Sequence, residues 1–322
     1  SKVHANASRH SALSYGHIEK LEAKLKAEVQ ELLALAENAD KGDAGNVPAG
    51  VKLPEELALR EKRLAVMAQA KRKIEERAKE RFQREQDEYQ AKLAARAKKE
   101  AETGKKARGK EPTPPTEGAK PTDQVNLTDE ESRIMPIPGG GFEQAYNVQA
   151  AVDVDSMLVV ATGVTQAPND KQQVVPMLAT LEKQDVTAGN VTHLIADTGF
   201  CSEENMRACD EANITPVFAL ARENHHPDWR ERHARPEPLP ENPTPTQVMA
   251  HRLKTTEGRA LYALRKQIVE PVFGIIKSVM GFRQFSLRGF AKAQGEWSLV
   301  CLAWNLKRMA VLRQNFNKMT TN

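Results

Sequence analysis

The sequence predicts a mixed α/β domain interrupted by a long, charged helical hairpin, and three observations carry that prediction. Residues 145–219 alternate short β-type runs with segments of helical period. Residues 15–102 hold two stretches in which apolar residues recur at three- and four-residue steps. A stretch rich in Pro, Gly, Lys and Thr, 104–123, separates the two regions. Strands that alternate with helices build a helix-covered sheet, whereas two long amphipathic helices joined by a short loop bury their stripes against each other.

Residues 1–12 are small and polar, and read as the exit from a strand. From Tyr15 to Ala39, the residues Ile18, Leu21, Leu25, Val29 and Leu32 lie along one helical stripe. Asp40 to Asn46, with two glycines, ends that helix, and Pro54 at a first turn starts the next. The second helix is expected from Glu55 to about Glu102, with Leu57, Leu64, Met67, Ile74, Ala78, Tyr89 and Leu93 as its apolar line. Its dense Lys, Arg and Glu make it too polar for a core helix. The pair is therefore expected as an antiparallel hairpin over 13–103, followed by a flexible linker over 104–125.

A second domain is expected over 126–314, with a short tail at 315–322. Runs 145–152 and 157–164 are strand-like, and residues 153–156 between them form a tight hairpin turn. A helix over 170–184 follows, with Val174, Val175, Leu178 and Leu181 on one side. The short apolar run 191–196 is a buried strand that delivers Asp197 at its carboxyl end. A helix over 203–212 and a strand over 215–219 come next. After a proline-rich loop over 223–246, the chain is expected to be helical from Thr246 through Glu270. A final helix over 295–314, carrying Trp297, Leu299, Val300, Leu302, Ala303, Trp304 and Leu306, is expected to pack on the sheet.

Composition narrows the class. At 322 residues the chain is long enough for about two domains. Its net charge of +4 is mild, so charge distribution rather than total charge must argue for a polyanionic partner. Three cysteines, Cys201, Cys209 and Cys301, make no paired framework, which fits a reducing compartment. No span approaches the roughly 18 consecutive apolar residues of a membrane helix. Nothing resembling a signal peptide opens the sequence, and a cytoplasmic protein of bacterial type, with no membrane partner, is the expectation. Ser1 in place of Met reads as a sequence processed or cut from something longer.

Two acids stand out. Asp197, in Leu194–Phe200, sits at a strand end, where the open edge of an α/β sheet binds ligands; its bland alternative is a cap of the following turn. Glu270 precedes Pro271, so it should lie where a helix begins or kinks, and glutamate is common in first turns for reasons of its own. Around Glu270 crowd Arg252, Lys254, Arg259, Arg265, Lys266, Lys277, Arg283, Arg288 and Lys292, the kind of charge a phosphate backbone requires; a solvated helix face is the alternative. Cys201, Cys209, His225 and His226 match no strong zinc spacing. Gly139 to Gly141 precede a strand rather than follow one, which gives nucleotide hydrolysis no support.

An Asp in a strand-end Ala-Asp-x-Gly-aromatic motif, followed on a later helix by Tyr, a basic residue, Glu and Lys, resembles the DDE transposases of bacterial insertion sequences. Segments 126–135, 144–152 and 269–277 are similar to the IS1182-like branch of the IS4/IS5 supergroup, and the similarity covers nearly the whole chain. The resemblance implies a ribonuclease-H-like mixed sheet with flanking helices, whose Asp, Asp and Glu hold two Mg²⁺ ions about 3.5–4 Å apart. It implies double-stranded DNA as partner, both insertion-sequence ends and target, and an oligomer of like chains in the active complex. By position, Asp197 matches the second Asp and Glu270 the Glu, as catalytic residues and metal ligands. Tyr262, Arg265 and Lys277 fall on the accompanying DNA-binding pattern. The spacing to Glu270 is one longer than the common form, so Lys266 competes with Arg265 for the basic role.

The departure from the family pattern is the first Asp. It belongs to an Asp-Gly-Ser/Thr motif immediately ahead of a stretch like Lys2–Ala7, so the Asp is expected two residues upstream of Ser1. Asp129, Asp153, Asp155 and Asp170 are poor substitutes: the first lies in a linker, the next two in a hairpin turn, and Asp170 reads as a helix start. The expectation is a transposase fragment impaired in DNA cleavage and strand transfer. The rival is a non-enzymatic DNA-binding or coiled-coil interaction protein in which Asp197 and Glu270 are caps.

Overall fold

The computed structural model describes residues 1–41, 50–106, 109–137, 139–183, 191–221, 236 and 238–320. These fall into two compact units, one of Ser8–Glu130 and one of Ser1–Ala7 with Glu131–Asn322. The chain thus leaves the second unit after its first strand and returns to it more than a hundred residues later.

In the unit Ser8–Glu130, α1 (Tyr15–Asp40) lies against α2 (Leu53–Thr103). Periodicity accounts for the contact: Ile18 and Leu25 of α1 meet Met67, Ala70 and Ile74 of α2, with Leu21 and Leu64 at the margin. Pro54 stands in the first turn of α2 with Glu55 and Glu56, where a missing N–H costs nothing and negative charge is favoured. Gly104 ends the helix at φ +62°, a conformation a side chain disfavours. Arg60 pairs with Glu56 and, at 3.0 Å, with Glu28 across the hairpin. Gly42 and Gly45, the two glycines expected to end the first helix, lie outside the described residues.

The second helix outruns the first by about half its length, and the 109–123 stretch accompanies the overhang. Arg96 donates to the carbonyls of Gly109 and Lys110 at 3.3 Å. Arg81 binds Asp123 at 2.8 Å and the Gly118 carbonyl at 3.0 Å. Tyr89, expected on the apolar line of α2, lines a pocket with Pro112, Pro114 and Pro115. Two short strands, β2 (Ala12–Ser14) and β3 (Gln124–Asn126), pair antiparallel at the base and close the unit.

The other unit is built on a four-stranded sheet. The long strand β5 (Phe142–Val152) pairs antiparallel with β1 (Lys2–His4), β4 (Arg133–Pro136) and β6 (Val159–Thr165). Val3 faces Tyr146, and Val148 faces Val164. The turn between β5 and β6 is the expected one: Asp153 accepts from the Ser156 N–H and hydroxyl, at 2.8 and 2.5 Å. A parallel pair, β7 (His193–Ala196) and β8 (Thr215–Phe218), completes the strands of the described residues. The chain forms α3 (Val174–Glu182) between β6 and β7, and α4 (Glu203–Glu211) between β7 and β8.

Three expectations are corrected here. The helix over 170–184 starts four residues later, at Val174, because Asp170 is engaged elsewhere. The helix expected from Thr246 is two, α5 (Pro245–Lys254) and α6 (Thr256–Ser278), broken at Thr255, whose hydroxyl accepts from the Gly258 N–H at 2.9 Å. Gly258 permits this corner, since a Cβ there would lie 1.9 Å from the Arg252 carbonyl oxygen. The last helix, α7 (Phe290–Thr320), is longer at both ends than 295–314 and takes in most of the expected tail.

The main core joins Val3, Tyr146, Val148 and Val159 of the sheet to Val272 and Ile276 of α6 and Ala293, Trp297, Cys301 and Trp304 of α7. The indole N–H groups of these two tryptophans are satisfied, Trp297 by Gln149 O of β5 and Trp304 by Met157 O of the β5–β6 turn, each at 2.9 Å. A second cluster, with Val174, Leu178, Met206, Cys209, Phe218 and Met249, packs α3, α4 and α5 about β8.

Candidate functional site

Asp197 follows the last residue of β7, where the apolar strand gives way to a single 3₁₀ turn, Thr198–Phe200. Its Oδ1 accepts from the Gly199 N–H at 2.8 Å, so the cap expected as the bland alternative is present. A cap uses one carboxylate oxygen. The turn then hands over to α4, whose cap is Ser202 Oγ accepting from Asn205 N–H at 3.1 Å.

Beside Asp197 lies Asp170. A Cβ on Gly199 would sit 3.0 Å from Asp197 Oδ1 and 3.5 Å from Asp170 Oδ2, so both carboxylates border the same small space. Asp170 does not start a helix, as its place in the sequence suggested. Its Oδ1 accepts from Asn147 Nδ2 and Gln149 Nε2, both at 2.7 Å. These two amides project from β5 into the protein and are buried, so each needs an acceptor. Burial alone would push the Asp170 carboxyl up, but the two amide hydrogen bonds and the nearby Lys2 and amino terminus bring it below the usual range.

The start of β1 converges on the same place. The Ser1 amino group donates to Val148 O at 2.7 Å and to Asn147 Oδ1 at 3.1 Å. Burial lowers its pKa to about 5, against the pull of Asp170 and, more weakly, of Asp197. Lys277 of α6 donates to Ser1 Oγ at 2.6 Å and to Lys2 O at 2.8 Å. Burial, and then the neighbouring Lys2, hold its ammonium below the usual lysine range.

A buried amide ties this arrangement together. Asn205 of α4 donates through Nδ2 to Lys171 O at 2.7 Å and to Phe200 O at 2.6 Å, which fastens the loop carrying Asp170 to the turn carrying Asp197. Neither Asn205 nor the pair Asn147 and Gln149 was singled out in the sequence. The available signal was two amides at i and i+2 within an otherwise buried strand: they share a face and so demand a common acceptor.

Glu270 occupies a different setting. It is 56% exposed and lies on the interior of α6, which neither begins nor ends there. Pro271 is accommodated inside the helix, leaving the Gln267 carbonyl without its helical donor. The Glu270 carboxylate pairs with Arg265 at 3.1 Å, and the Arg265 guanidinium lies 5.7 Å from the centre of the Tyr262 ring. Tyr262, Arg265 and Glu270 thus form one group on α6, and Lys266 is exposed next to it.

The basic residues around Glu270 are not all held for a ligand. Arg252 donates to Pro216 O, Arg259 to Thr255 O and Lys254 O, Arg283 to Lys277 O and Arg288 to Asn6 O, so each spends part of its guanidinium on the fold. His225 and His226, weighed with Cys201 and Cys209 as zinc ligands, lie outside the described residues.

Carboxylate oxygens are the donors a hard divalent cation takes, and Mg²⁺ needs only one or two of them with water filling the rest. Asp197 and Glu270 fit that chemistry, though Glu270 must first give up Arg265. Among the described residues, no group of three or more His, Cys, Asp or Glu side chains is gathered as a metal site. No described helix is long and apolar enough to cross a membrane.

Comparison with known proteins adds one result. The model of the family described as "Transposase DDE domain" matches residues 128–306, which include Asp170, Asp197, Glu270 and Lys277. No curated protein and no solved structure matches the chain.

Proposed function

The chain belongs to the DDE-domain transposase family, and from that premise we propose that it cleaves DNA at the ends of an insertion sequence and transfers the strands to a target by two-metal phosphoryl transfer. The family is one of DNA-processing enzymes that work with divalent metal. The finer assignment is to the IS1182-like branch, with a ribonuclease-H-like catalytic domain.

The observation that carries this reading is the convergence of Asp197, Asp170, the start of β1 and Lys277 at the carboxyl end of β7, the edge where ligands bind in sheets of this class. Asp197 and Glu270 would hold Mg²⁺, which when bound activates a water or 3′-hydroxyl and stabilises the leaving oxygen. Asp197 presents the carboxylate oxygen that its cap leaves over. Glu270 exchanges Arg265 for metal, which frees the Arg265 guanidinium to meet a phosphate as a fork of donors. Tyr262 keeps that guanidinium in place through its ring, while Lys266 and Lys277 add positive charge. Asp170 fixes, through Asn147 and Gln149, the strand β5 against which β1, and with it the third carboxylate, is paired. In this reading that carboxylate is the Asp two residues ahead of Ser1, and the 322-residue chain alone is impaired.

The test is a strand-transfer assay with insertion-sequence ends and Mg²⁺, comparing this chain with one carrying Asp-Gly ahead of Ser1. The expected result is DNA binding by both and efficient transfer by the extended chain alone, abolished by D197A or E270A. Robust transfer by the unextended chain would sink the assignment of the third carboxylate. Failure of the extended chain to cleave any strand, with DNA binding intact, would favour a second reading, a non-enzymatic DNA-binding protein. That second reading is supported by the cap made by Asp197 and the ion pair made by Glu270.

A further inference from the structure

The last helix is apolar on two opposite faces, and the fold uses only one. Ala293, Trp297, Cys301 and Trp304 bury one face in the core. On the other side Leu299, Leu302, Leu306 and Met309 are 66%, 53%, 60% and 54% exposed. Single exposed leucines are ordinary, but these four are spaced 3-4-3, the repeat of a coiled-coil seam that accepts the knobs of a second helix. They present on the order of 400 Å² of apolar surface, in the range of the largest patch on a typical monomer, about 300–600 Å².

We infer that this stripe of α7 pairs with the same stripe of a second copy of the chain, the two helices antiparallel about a two-fold axis at the level of Trp304. The seam is self-complementary in that orientation. Leu302 meets Leu306 of the second copy, and Leu299 meets Met309. One step further out on each side, the seam positions are Gly295 and Arg313, and they also face each other. A Cβ on Gly295 would touch nothing within 4 Å, so the glycine leaves a gap for the long Arg313 stem. Glu296, one residue along, has its carboxylate held by the N–H groups of Ser286 and Leu287 at 2.8 and 2.9 Å, so it adds a fixed negative charge to that end of the helix and is not itself a seam residue.

A parallel pairing would set Arg313 against Arg313 and Gly295 against Gly295, with repulsion at one end and a void at the other. Charge and size therefore select the antiparallel form. The two stripes together cover on the order of 800 Å², and flanking Ala303 and Ala310, whose small side chains allow close approach, add to that; this lies below the about 1,200 Å² of tight interfaces, so the dimer is a weak, concentration-dependent one. The interface is isologous and closes on itself, so it makes a dimer and not a filament. It owes nothing to the DNA chemistry and stands or falls separately from it.

Sedimentation equilibrium of the 322-residue chain without DNA tests the pairing. The expected result is a concentration-dependent dimer, lost entirely in L302E/L306E and weakened about tenfold by R313E, with far-ultraviolet circular dichroism and melting temperature of the monomer kept. L302A/L306A serves in place of the glutamates should they disturb folding, and is also expected to lose the dimer. A wild-type chain that stays monomeric, including one whose stripe is shielded by another segment of its own chain, would overturn the inference. A dimer that survives both double variants would overturn it too, since the contact would then lie elsewhere.

Discussion

The Arg265 guanidinium lies 3.1 Å from the Glu270 carboxylate, five residues along the same helix, with Glu270 more than half exposed. An ion pair in that position is worth little to the fold, about 0.2–1 kcal/mol. E270A is therefore expected to lower stability by less than about 1 kcal/mol in urea unfolding. In the strand-transfer assay on the extended chain the same substitution is expected to abolish the product. A loss of several kcal/mol with transfer intact would assign Glu270 to structure.

Asp170 makes the opposite case, a carboxylate whose worth to the fold should be large and dependent on pH. Its folded pKa lies below the usual value, so the stability it contributes is fully present above the unfolded carboxylate pKa and lost as pH falls through the folded one. D170N removes the charge and should flatten that acid limb when urea midpoints are followed downward from neutral pH. D170A removes the acceptor of two buried amides, each costing about 1–3 kcal/mol when left unmet, and should be the more damaging of the two at neutral pH. Equal acid limbs in wild type and D170N would show that the charge is not held as described.

These two acids mark what was legible in the sequence. Asp197 and Glu270 stood out because each sits in a local pattern, a strand end or a basic helix, that can be read over a few residues. The pairing of α1 with α2 was legible for the same reason, as Ile18, Leu25, Met67 and Ile74 follow one period and meet as expected. Asp170 was misread because its role is set by Asn147 and Gln149, more than twenty residues away, and no local period records a need for an acceptor. The break at Thr255 escaped because the helical period runs on through it. What forces it is a backbone approach between Arg252 and Gly258 that leaves no mark but a glycine. Pro271 pointed to a helix start or kink, yet packing of Ile268, Val272 and Ile276 in the core carries the helix through.

Gly258 gives a prediction of its own. An added methyl would sit 1.9 Å from the Arg252 carbonyl oxygen, a backbone atom that cannot swing aside, so G258A must move α5 away from α6. Overpacking of this kind costs typically about 1–3 kcal/mol. A fall in the urea midpoint of that size is expected, with faster amide exchange at the ends of both helices. G274A, on α6 where a Cβ meets nothing within 4 Å, is the control and should be neutral or slightly stabilising. Equal stability of the two variants would mean the corner is not formed as described.

Asn205 joins the loop of Asp170 to the turn of Asp197 and touches neither carboxylate, so its effect on chemistry should pass through geometry. Removing its two donors leaves Lys171 O and Phe200 O without that link, and N205A should cost about 1–3 kcal/mol of stability. That loss alone is what any buried amide would give. The distinguishing measurement is the Mg²⁺ dependence of strand transfer by the extended chain, well below the melting temperature of the variant. If Asn205 holds Asp197 in place, N205A should need more metal for half-maximal rate while its DNA affinity stays at the wild-type value, because the basic residues of α6 are untouched. A variant that is less stable but has an unchanged metal requirement would reduce Asn205 to a packing residue. The positioning of Asp197 would then rest on Gly199, whose N–H it accepts, and on the strand that carries it.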